Sequence, residues 1–324
     1  MKVLVTGASG LLGAATARAI AAHGHTVRTF QRRPSGLAGE PGFEDHLGSV
    51  TDAAATARAV DGVDAIVHLA AKVSLAGDPA DFRRVNVGGT GMLLNAARIA
   101  GVERFVFVSS PSVAHSGSSI VGDDARPADP ERAHGDYART KAEAELLALS
   151  RDSDALRVVV VRPHLVWGPG DTQLIERVVD RARSGRLPIL DNGAALIDSV
   201  YVDNAASAIA AALRRVDAVH GNSYVVTNGE PRPVADILAS ICEAAGAPVP
   251  AWRIPASVAR AAGSAVEALW SVKPGVDEPP MTRFLAEQLS TAHWFDQRRT
   301  RRDLEWTPEV SLDEGFRRLA AYYR

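Results

Sequence analysis

The sequence predicts an α/β protein with a doubly wound parallel sheet and a smaller, mainly helical C-terminal lobe. Two observations predict the sheet: short apolar strands alternate with helix-like runs, and a glycine-spaced turn joins the first strand to the first helix. Repeated strand-helix units favour parallel strands buried on both faces, which suits their continuous apolar character. The lobe is predicted because the runs after residue 163 are mostly helical.

The turn near the N-terminus is the most informative stretch. Residues 2–5 are apolar and β-branched, and the turn Gly7-x-x-Gly10-x-x-Gly13 leads into a helix-favouring run over 11–22. This arrangement points unpaired backbone N–H groups and a helix dipole at a pyrophosphate. Gly7 permits the sharp turn, Gly10 lets the phosphates approach, and Gly13 lets the helix lie close to the sheet. The pattern predicts a Rossmann-type dinucleotide-binding unit.

The end of the second strand indicates which dinucleotide is bound. A carboxylate at this position would bind the 2′-hydroxyl of NAD, but the chain has Gln31 followed by Arg32 and Arg33. Guanidinium groups can hold a 2′-phosphate, which a carboxylate would repel. We therefore expect NADP(H) to be preferred, with NAD(H) as the other cofactor to consider. A solvated surface loop is the alternative interpretation of the two arginines.

The remaining elements follow in order. Helices are predicted over 52–60, 81–100 and 131–150, and strands over 64–68, 104–108 and 156–162. The glycine-rich residues 34–48 are interpreted as an irregular connection. Beyond the sheet, a short strand is predicted over 223–227 and helices over 171–184, 203–215, 234–245, 256–270, 282–289 and 312–322. We expect residues 1–165, joined by 196–228, to form the NADP-binding domain, and residues 166–195 and 229–324 the substrate-binding lobe.

A tyrosine and a lysine four residues apart are the first candidates for chemistry. Tyr137 and Lys141 fall on one helix face, about one turn apart. A neighbouring ammonium stabilises a phenolate and lowers the tyrosine pKa, which creates a usable general acid or base. Ser109 and Ser110 follow an apolar strand, at the sheet edge where α/β proteins bind ligands. The Ser110 hydroxyl could bind the same substrate oxygen as Tyr137.

Together these residues resemble the extended short-chain dehydrogenase/reductase family. Six motifs carry the resemblance, in the order that the family has them: Thr6-Gly7-x-x-Gly10-x-x-Gly13, Val67-His68-Leu-Ala70-Ala71, Asn86-Val-x-Gly-Thr90, Ser109-Ser110, Tyr137-x-x-x-Lys141 and Arg162-Pro163. The resemblance implies a Rossmann fold and an NAD(P)-dependent oxidoreductase.

The resemblance also implies roles for particular residues. Ser110 would orient the substrate oxygen, Tyr137 would donate the proton, and Lys141 would bind the nicotinamide ribose and lower the tyrosine pKa. Asn86 would lie close to the active site. The implied cofactor-binding residues are Thr6, Gly7, Ser9, Gly10, Leu11, Leu12, Gly13, Gln31, Arg32, Arg33, His68, Ala70, Ala71, Asn86, Tyr137, Lys141 and Pro163.

Within the family, residues 109–113, 280–284 and 293–295 resemble the 3β-hydroxysteroid dehydrogenase branch. Residues 166–171, 198–205, 227–231 and 278–289 are similar to the NADPH-dependent reductases of bacterial long-chain olefin formation, which reduce 2-alkyl-3-oxoalkanoic acids. That reduction is the expected activity, and oxidation of a 3β-hydroxysteroid is the first alternative. A non-catalytic NADP-binding sensor is the second, although a sensor would not need Ser110, Tyr137 and Lys141 together.

Four further side chains are candidates for contact with the substrate. Ser112 follows the serine pair, and His115 and His164 lie near the ends of strands. Arg283 is the candidate for a substrate carboxylate, because it falls in the expected pocket lobe. No metal-binding spacing links the histidines. Arg162, which follows a buried strand, is expected to anchor the structure.

Composition limits the remaining function classes. The 324 residues carry a net charge of -2, which gives no indication of nucleic-acid binding. The single cysteine, Cys242, excludes an internal disulfide and is expected to be a buried hydrophobe. No stretch approaches the roughly 20 apolar residues of a membrane span, and the first strand leaves no room for a signal peptide. We therefore expect a cytoplasmic enzyme. The resemblance implies a lipid-like substrate, a homodimer that pairs through the helices predicted over 81–100 and 131–150, and association with other olefin-pathway enzymes.

Overall fold

The computed structural model describes residues 1–74, 77–115, 117–272 and 283–324. The strands are β1 (Lys2–Thr6), β2 (Thr26–Gln31), β3 (Phe43–Leu47), β4 (Ala65–His68), β5 (Arg104–Val108), β6 (Ile120–Asp123), β7 (Arg157–Pro163), β8 (Val166–Trp167), β9 (Ile189–Leu190), β10 (Leu196–Ile197), β11 (Val200–Tyr201), β12 (Ser223–Val226), β13 (Arg232–Pro233), β14 (Arg253–Ile254) and β15 (His293–Phe295). The helices are α1 (Leu11–Ala22), α2 (Ala53–Val60), α3 (Pro79–Phe82), α4 (Gly89–Ala100), α5 (Gly135–Leu149), α6 (Ile175–Arg183), α7 (Val202–Val219), α8 (Val234–Ala244), α9 (Ala256–Val272), α10 (Arg283–Ser290), α11 (Arg298–Leu304) and α12 (Leu312–Tyr322).

Seven strands form a parallel sheet in the spatial order β12-β7-β5-β4-β1-β2-β3. The chain reverses its direction of winding between β1 and β4, and such a switch point is where open α/β sheets bind ligands. Thr6 and His68 end these two strands side by side. The order and direction of the strands confirm the predicted Rossmann-type fold.

Alternate residues of each strand supply two separate cores. Val3 and Val5 of β1 pack on one side of the sheet with α1 and α7, in a cluster that includes Ala17 and Ile209. Leu4 points to the other side, into a cluster with α2, α4 and α5. This period of two is the geometry of a strand with both faces buried.

The interpretation of residues 34–48 as wholly irregular was wrong, because β3 occupies Phe43–Leu47 and pairs with β2. The sequence pattern does not indicate this strand, because an edge strand needs little apolar burial and β3 carries two acidic side chains. Glu44 pairs with Lys2 at 2.7 Å and with Arg28 at 3.4 Å, which satisfies the charge at this edge.

The helix predicted over 81–100 is interrupted by a π-helical segment, Arg83–Gly88, between α3 and α4.

A second, four-stranded sheet that the sequence did not predict has the order β13-β10-β15-β6. It joins β6, from the first half of the chain, to β15 near the C-terminus. Cys242 is buried in α8, as expected.

Residues 278–282, which belong to the C-terminal resemblance, lie outside the described residues. In the part of the chain that the structure describes, no helix is long and apolar enough to cross a membrane.

Candidate active site

The glycine turn between β1 and α1 is shaped for a close backbone approach. Gly7 has a φ of 78°, and a Cβ on Gly13 would lie 2.2 Å from the Gly7 carbonyl oxygen. Gly10 is the N-cap of α1, and its nearest neighbour would be 3.5 Å from an added Cβ. No side chain in the described part of the chain caps the helix, so its first N–H groups remain available to an anion. These features fit the pyrophosphate of a dinucleotide.

The other residues expected around this turn are placed as follows. Ser9 is exposed, and Leu11, Leu12, Ala70 and Ala71 are half-buried. The amide nitrogen of Ala70 would lie 3.0 Å from a Cβ on Gly7, so the loop after β4 closes against the turn. Pro163 is buried at the end of β7.

A buried hydrogen-bond chain fixes the ends of β1 and β4. Thr6 Oγ1 accepts from the two backbone amides that follow His68, at 3.1 and 3.0 Å, and lies 2.8 Å from the His68 Nδ1. His68 Nε2 lies 3.1 Å from Thr90 Oγ1, whose own proton goes to a backbone carbonyl. Burial, and then the charge of Lys141, lower the pKa of His68 to about 3. His68 is therefore neutral, and its contacts with Thr6 and Thr90 hold the ends of β1 and β4 in place.

Ser110 and Tyr137 meet at the carboxyl edge of the sheet. Ser110 follows β5, Tyr137 lies in the first turn of α5, and the Ser110 side chain is close enough to the phenol to influence its pKa. Burial raises the pKa of Tyr137 to about 12, although the neighbouring Ser110 side chain acts in the opposite direction. The phenol is therefore protonated at neutral pH, as a proton donor must be.

Lys141 lies one turn further along α5 but does not lower the pKa of Tyr137 as expected. Its Nζ donates to the Val108 carbonyl oxygen at 2.6 Å and lies 4.1 Å from the centre of the Phe107 ring. Burial lowers the pKa of Lys141 to about 7, and the charge of Glu145 raises it. The expectation failed because the ammonium is directed at a backbone carbonyl, while burial dominates the pKa of the phenol.

Asn86 lies next to α5, the helix that carries Tyr137. Its Nδ2 donates to Thr140 Oγ1 at 3.0 Å, and its Oδ1 accepts from the Lys72 backbone amide at 2.7 Å. Thr140 lies between Tyr137 and Lys141 in α5. Asn86 belongs to the π-helical segment, and such segments are frequent at functional sites.

Gln31 is oriented by a carboxylate that the sequence analysis missed. Its Nε2 donates to Thr29 Oγ1 at 3.1 Å and to Asp45 Oδ1 at 3.4 Å. Because a carboxylate only accepts, the amide oxygen of Gln31 must face away from it. This oxygen is buried without a hydrogen-bond partner among the described residues, so it remains an acceptor that a ribose hydroxyl would satisfy.

Asp45 is held in place by the start of the next loop. Its carboxylate accepts from the Ser35 hydroxyl at 2.5 Å and the Ser35 amide at 3.0 Å, and also from Thr29. Burial raises the pKa of Asp45, but these hydrogen bonds outweigh burial and keep it below its usual value. Arg32 and Arg33 are both exposed, and neither has a polar partner within the described ranges.

The expected substrate residues fall into two groups. Ser112 is half-buried, and its hydroxyl lies 2.9 Å from the Ser110 hydroxyl. His115 is buried against His293, with 3.0 Å between their Nε2 atoms. His164 stacks edge-on against His293, with 5.8 Å between ring centres, and hydrogen-bonds the Asp198 carbonyl. Only Ser112 is thus linked to the Ser110–Tyr137 pair.

Arg283 is engaged by an acidic residue of its own helix. Its Nε lies 2.8 Å from a Glu287 oxygen, and the other oxygen of Glu287 lies 2.9 Å from His134. Arg162 forms a buried ion pair with Glu145 and donates to the Arg126 carbonyl at 2.6 Å. The prediction that Arg162 anchors the structure is confirmed.

The fold and these residues define a member of the NAD dependent epimerase/dehydratase family, whose model matches residues 3–227. The chain belongs to this family of extended short-chain dehydrogenases/reductases and is an NAD(P)-dependent oxidoreductase, which confirms the resemblance found in the sequence.

Two named relatives match almost the whole chain. One is "2-alkyl-3-oxoalkanoate reductase" of Stenotrophomonas maltophilia, 39% identical over 99% of this chain and 99% of the relative. The other is "3 beta-hydroxysteroid dehydrogenase/Delta 5-->4-isomerase" of Mycobacterium tuberculosis, 32% identical over 99% of this chain and 90% of the relative.

Two solved structures resemble it. The crystal structure of gox2253 has a TM-score of 0.81 and 28% identity, and the match covers 99% of this chain and 97% of that one. A dTDP-glucose 4,6-dehydratase double mutant from Streptomyces venezuelae, with NAD bound, has a TM-score of 0.76 and 24% identity. This match covers 100% of our chain and 97% of the dehydratase chain. The second likeness concerns the fold alone.

Proposed function

We propose that this protein reduces the 3-keto group of long-chain 2-alkyl-3-oxoalkanoic acids with NADPH, in olefin biosynthesis. The observation that carries the proposal is the placement of Ser110, after β5, and Tyr137, in the first turn of α5, together at the ligand-binding edge of the sheet. A relative 39% identical over 99% of this chain, named for this substrate, supports the substrate class.

The residues would act as follows. A bound dihydronicotinamide would supply the hydride that adds to the carbonyl carbon. The electron pair of the carbonyl bond moves to oxygen, which takes the proton of the Tyr137 hydroxyl. Ser110 donates a hydrogen bond to the same oxygen and stabilises the developing alkoxide. Lys141 would bind the nicotinamide ribose, and an anionic neighbour there would favour its charged form.

The adenosine end would be held by the residues after β2. Gln31 offers an oxygen that can accept a ribose hydroxyl, and this interaction is available with either NADP(H) or NAD(H). The exposed Arg32 and Arg33 would add charge-assisted bonds to a 2′-phosphate. These two arginines are the reason that we favour NADPH.

We also propose which parts of the chain bind the cofactor and which bind the substrate. Residues 1–165 with 196–228 would bind the cofactor, and residues 166–195 with 229–324 would enclose the alkyl chains.

A homodimer is proposed through α4 and α5, because Met92, Ile99 and Leu146 on these helices are exposed. The sedimentation coefficient of the wild type, compared with that of Leu146→Glu, would test this pairing.

The activity is tested by following NADPH and NADH oxidation with a 2-alkyl-3-oxoalkanoic acid. The reverse direction uses the 2-alkyl-3-hydroxyalkanoic acid with NADP⁺, and a 3β-hydroxysteroid with NAD⁺ or NADP⁺ is the competing pair. Turnover of the keto acid with a preference for NADPH is expected. Steroid oxidation without keto-acid reduction would favour the function of the mycobacterial relative instead.

The catalytic assignment is tested by Tyr137→Phe, with Tyr322→Phe as the control because Tyr322 is exposed. We expect the first variant to lose at least about a hundredfold in kcat, within the range attributed to a general acid, and the second to match the wild type. Wild-type turnover by Tyr137→Phe would refute the role of the phenol. Cofactor binding without turnover of any substrate would favour a sensor.

A further inference from the structure

The C-terminal lobe exposes three large apolar side chains within one short stretch of the chain. The exposed fraction is 46% for Val249, 46% for Trp252 and 55% for Val258. Val258 lies in the first turn of α9, and the residues that follow it on the same helix face, three, four and seven positions later, are Ala261, Ala262 and Ala265. All three alanines are exposed as well.

The opposite face of α9 is already used in packing. Ala256 and Ala259 lie in a buried cluster with Ala286 of α10 and Leu190 of β9. The helix is therefore apolar both on the side that packs and on the side that faces solvent. A surface helix normally has polar residues on its outer face, so the exposed face of α9 needs a further partner.

The charges around this surface are positive. The sequence has no acidic residue between Glu243 and Glu267, whereas Arg253 and Arg260 both lie in this interval. Arg253 is exposed and has no ion-pair partner in the described part of the chain. The carboxylate of Asp191, which approaches from β9, accepts from the first amide of α9 at 2.8 Å. Asp191 thus serves the start of the helix, and the arginines are left for an external anion.

We propose that this docking surface, formed by Val249, Trp252 and the exposed face of α9, binds a bilayer that contains anionic lipids. Indole rings favour the membrane interface, where their apolar part is buried and their N–H reaches water. A helix with an apolar outer face can lie in the plane of that interface. Arginines beside it are attracted to anionic headgroups. This inference goes beyond the proposed function and does not depend on it.

A second copy of the chain fits the docking surface less well. In a two-fold interface both copies present the same patch, so Arg253 and Arg260 would meet the arginines of the other copy. Like charges brought together in this way oppose association. An anionic lipid surface instead supplies the charge that these arginines lack.

The docking surface belongs to the lobe that borders the candidate active site. Glu287 of α10, the helix packed against α9, lies 2.9 Å from His134 Nδ1. His134 is the N-cap of α5, and Tyr137 lies in the first turn of that helix. Docking would therefore bring this lobe to the lipid phase, into which an acid with two alkyl chains partitions.

The test is co-sedimentation with vesicles, without keto acid or cofactor. Vesicles of phosphatidylcholine with phosphatidylglycerol are compared with vesicles of phosphatidylcholine alone, and we expect at least about tenfold tighter binding to the anionic vesicles. Val258→Glu and Trp252→Ser should each lower the partition coefficient at least about tenfold. Val121→Glu is the matched control, because Val121 is 58% exposed on β6, and it should bind like the wild type.

Arg253→Gln separates the electrostatic part of the binding from the apolar part. It should weaken binding to the anionic vesicles about fivefold and leave binding to phosphatidylcholine unchanged. Arg151→Gln, at another exposed position, should leave both unchanged.

Three results would overturn the docking. One is a wild type that does not bind anionic vesicles, and another is a loss in Val121→Glu equal to that in Val258→Glu. The third is self-association of the wild type without vesicles that Val258→Glu abolishes, because a second copy would then cover the surface. A lack of keto-acid turnover would overturn the proposed function and leave the docking in place.

Discussion

Arg162 and Glu145 form an ion pair that lies entirely inside the protein, between β7 and α5. Arg162 is 1% exposed and Glu145 is 0% exposed, and Arg162 Nε lies 3.0 and 3.2 Å from the two carboxylate oxygens. Ser223 donates to the same carboxylate at 3.1 Å. Because Glu145 lies one turn beyond Lys141, this pair fixes the helix that carries the candidate catalytic residues.

Removing one member of this pair should be costly. Glu145→Gln would leave the guanidinium of Arg162 buried without its counter-charge, and we expect a loss of about 3–5 kcal/mol in the free energy of unfolding. Urea denaturation measures it. The double variant Arg162→Met/Glu145→Leu should lose much less than the two single variants together, because neither charge remains. A loss below about 1 kcal/mol in Glu145→Gln would contradict the buried pair.

Stability should fall at acidic pH because of buried histidines. Burial lowers the pKa to about 3 for His68, about 4 for His164 and about 2 for His293, and also lowers the pKa of His115. In the unfolded chain these groups bind protons below pH 6.5 or so, so the unfolded state takes up more protons as the pH falls. Their contribution to stability is therefore complete above about pH 6.5 and is lost towards the folded pKa.

Asp198 opposes this trend, because burial raises its pKa to about 6. Its folded carboxyl group takes up a proton first, which favours the folded state between about pH 6 and 4. Lys141, whose pKa is about 7 in the folded protein, adds slightly to the loss, because its unfolded amine is already protonated over this range. The histidines outnumber Asp198, and we expect a net loss of about 3 kcal/mol in the free energy of unfolding from pH 7 to pH 5. His164→Gln should reduce this slope. A stability that stays constant or rises over this interval would refute the prediction.

The sequence predicted the parts of the site that depend on local spacing. Gly7 and Gly13 are recognisable because the turn, strand and helix are contiguous, and Tyr137 and Lys141 because a helix turn sets their separation. In each case the physical requirement acts within a few residues. The edge strand β3 was missed because its support is not local: it comes from Lys2 of β1 and Arg28 of β2.

The residues that the sequence analysis missed act through distant pairs. Asp45 reaches Gln31 only because β2 and β3 lie in register, with Thr29 opposite Asp45. His293 meets His115 across 178 positions of the chain. No periodicity could have found these contacts. The one local signal was Gln31, an amide at the strand end where a carboxylate would bind the ribose of NAD.

Arg32 and Arg33 provide a direct test of the cofactor preference. Replacing either by alanine should raise the Kd for NADPH about tenfold, because one charge-assisted bond to the 2′-phosphate is lost. The Kd for NADH, which lacks this phosphate, should change less than about twofold. Titration calorimetry measures both, and Arg98→Ala is a control at an exposed position on α4. Equal losses for the two cofactors would show that the arginines do not recognise the 2′-phosphate.

Gly10 and Gly13 should fail for different reasons when each is replaced by alanine. A Cβ on Gly13 would lie 2.2 Å from the Gly7 oxygen and 2.7 Å from its carbon, so the backbone of the turn must move. A Cβ on Gly10 would meet only an ordinary contact of 3.5 Å within the protein. Gly13→Ala should therefore lose about 2 kcal/mol or more in the free energy of unfolding, whereas Gly10→Ala should lose less than about 1 kcal/mol.

The affinity for NADPH should be a second difference between the two glycine variants. In Gly10→Ala the new methyl group would stand where the phosphates approach the turn, so the Kd for NADPH should rise at least about tenfold in a protein of nearly normal stability. Urea denaturation and calorimetric titration of the same samples give both quantities. Gly10→Ala with wild-type affinity would mean that the pyrophosphate does not lie against this turn. Gly13→Ala with wild-type stability would mean that α1 can move away from Gly7 at little cost.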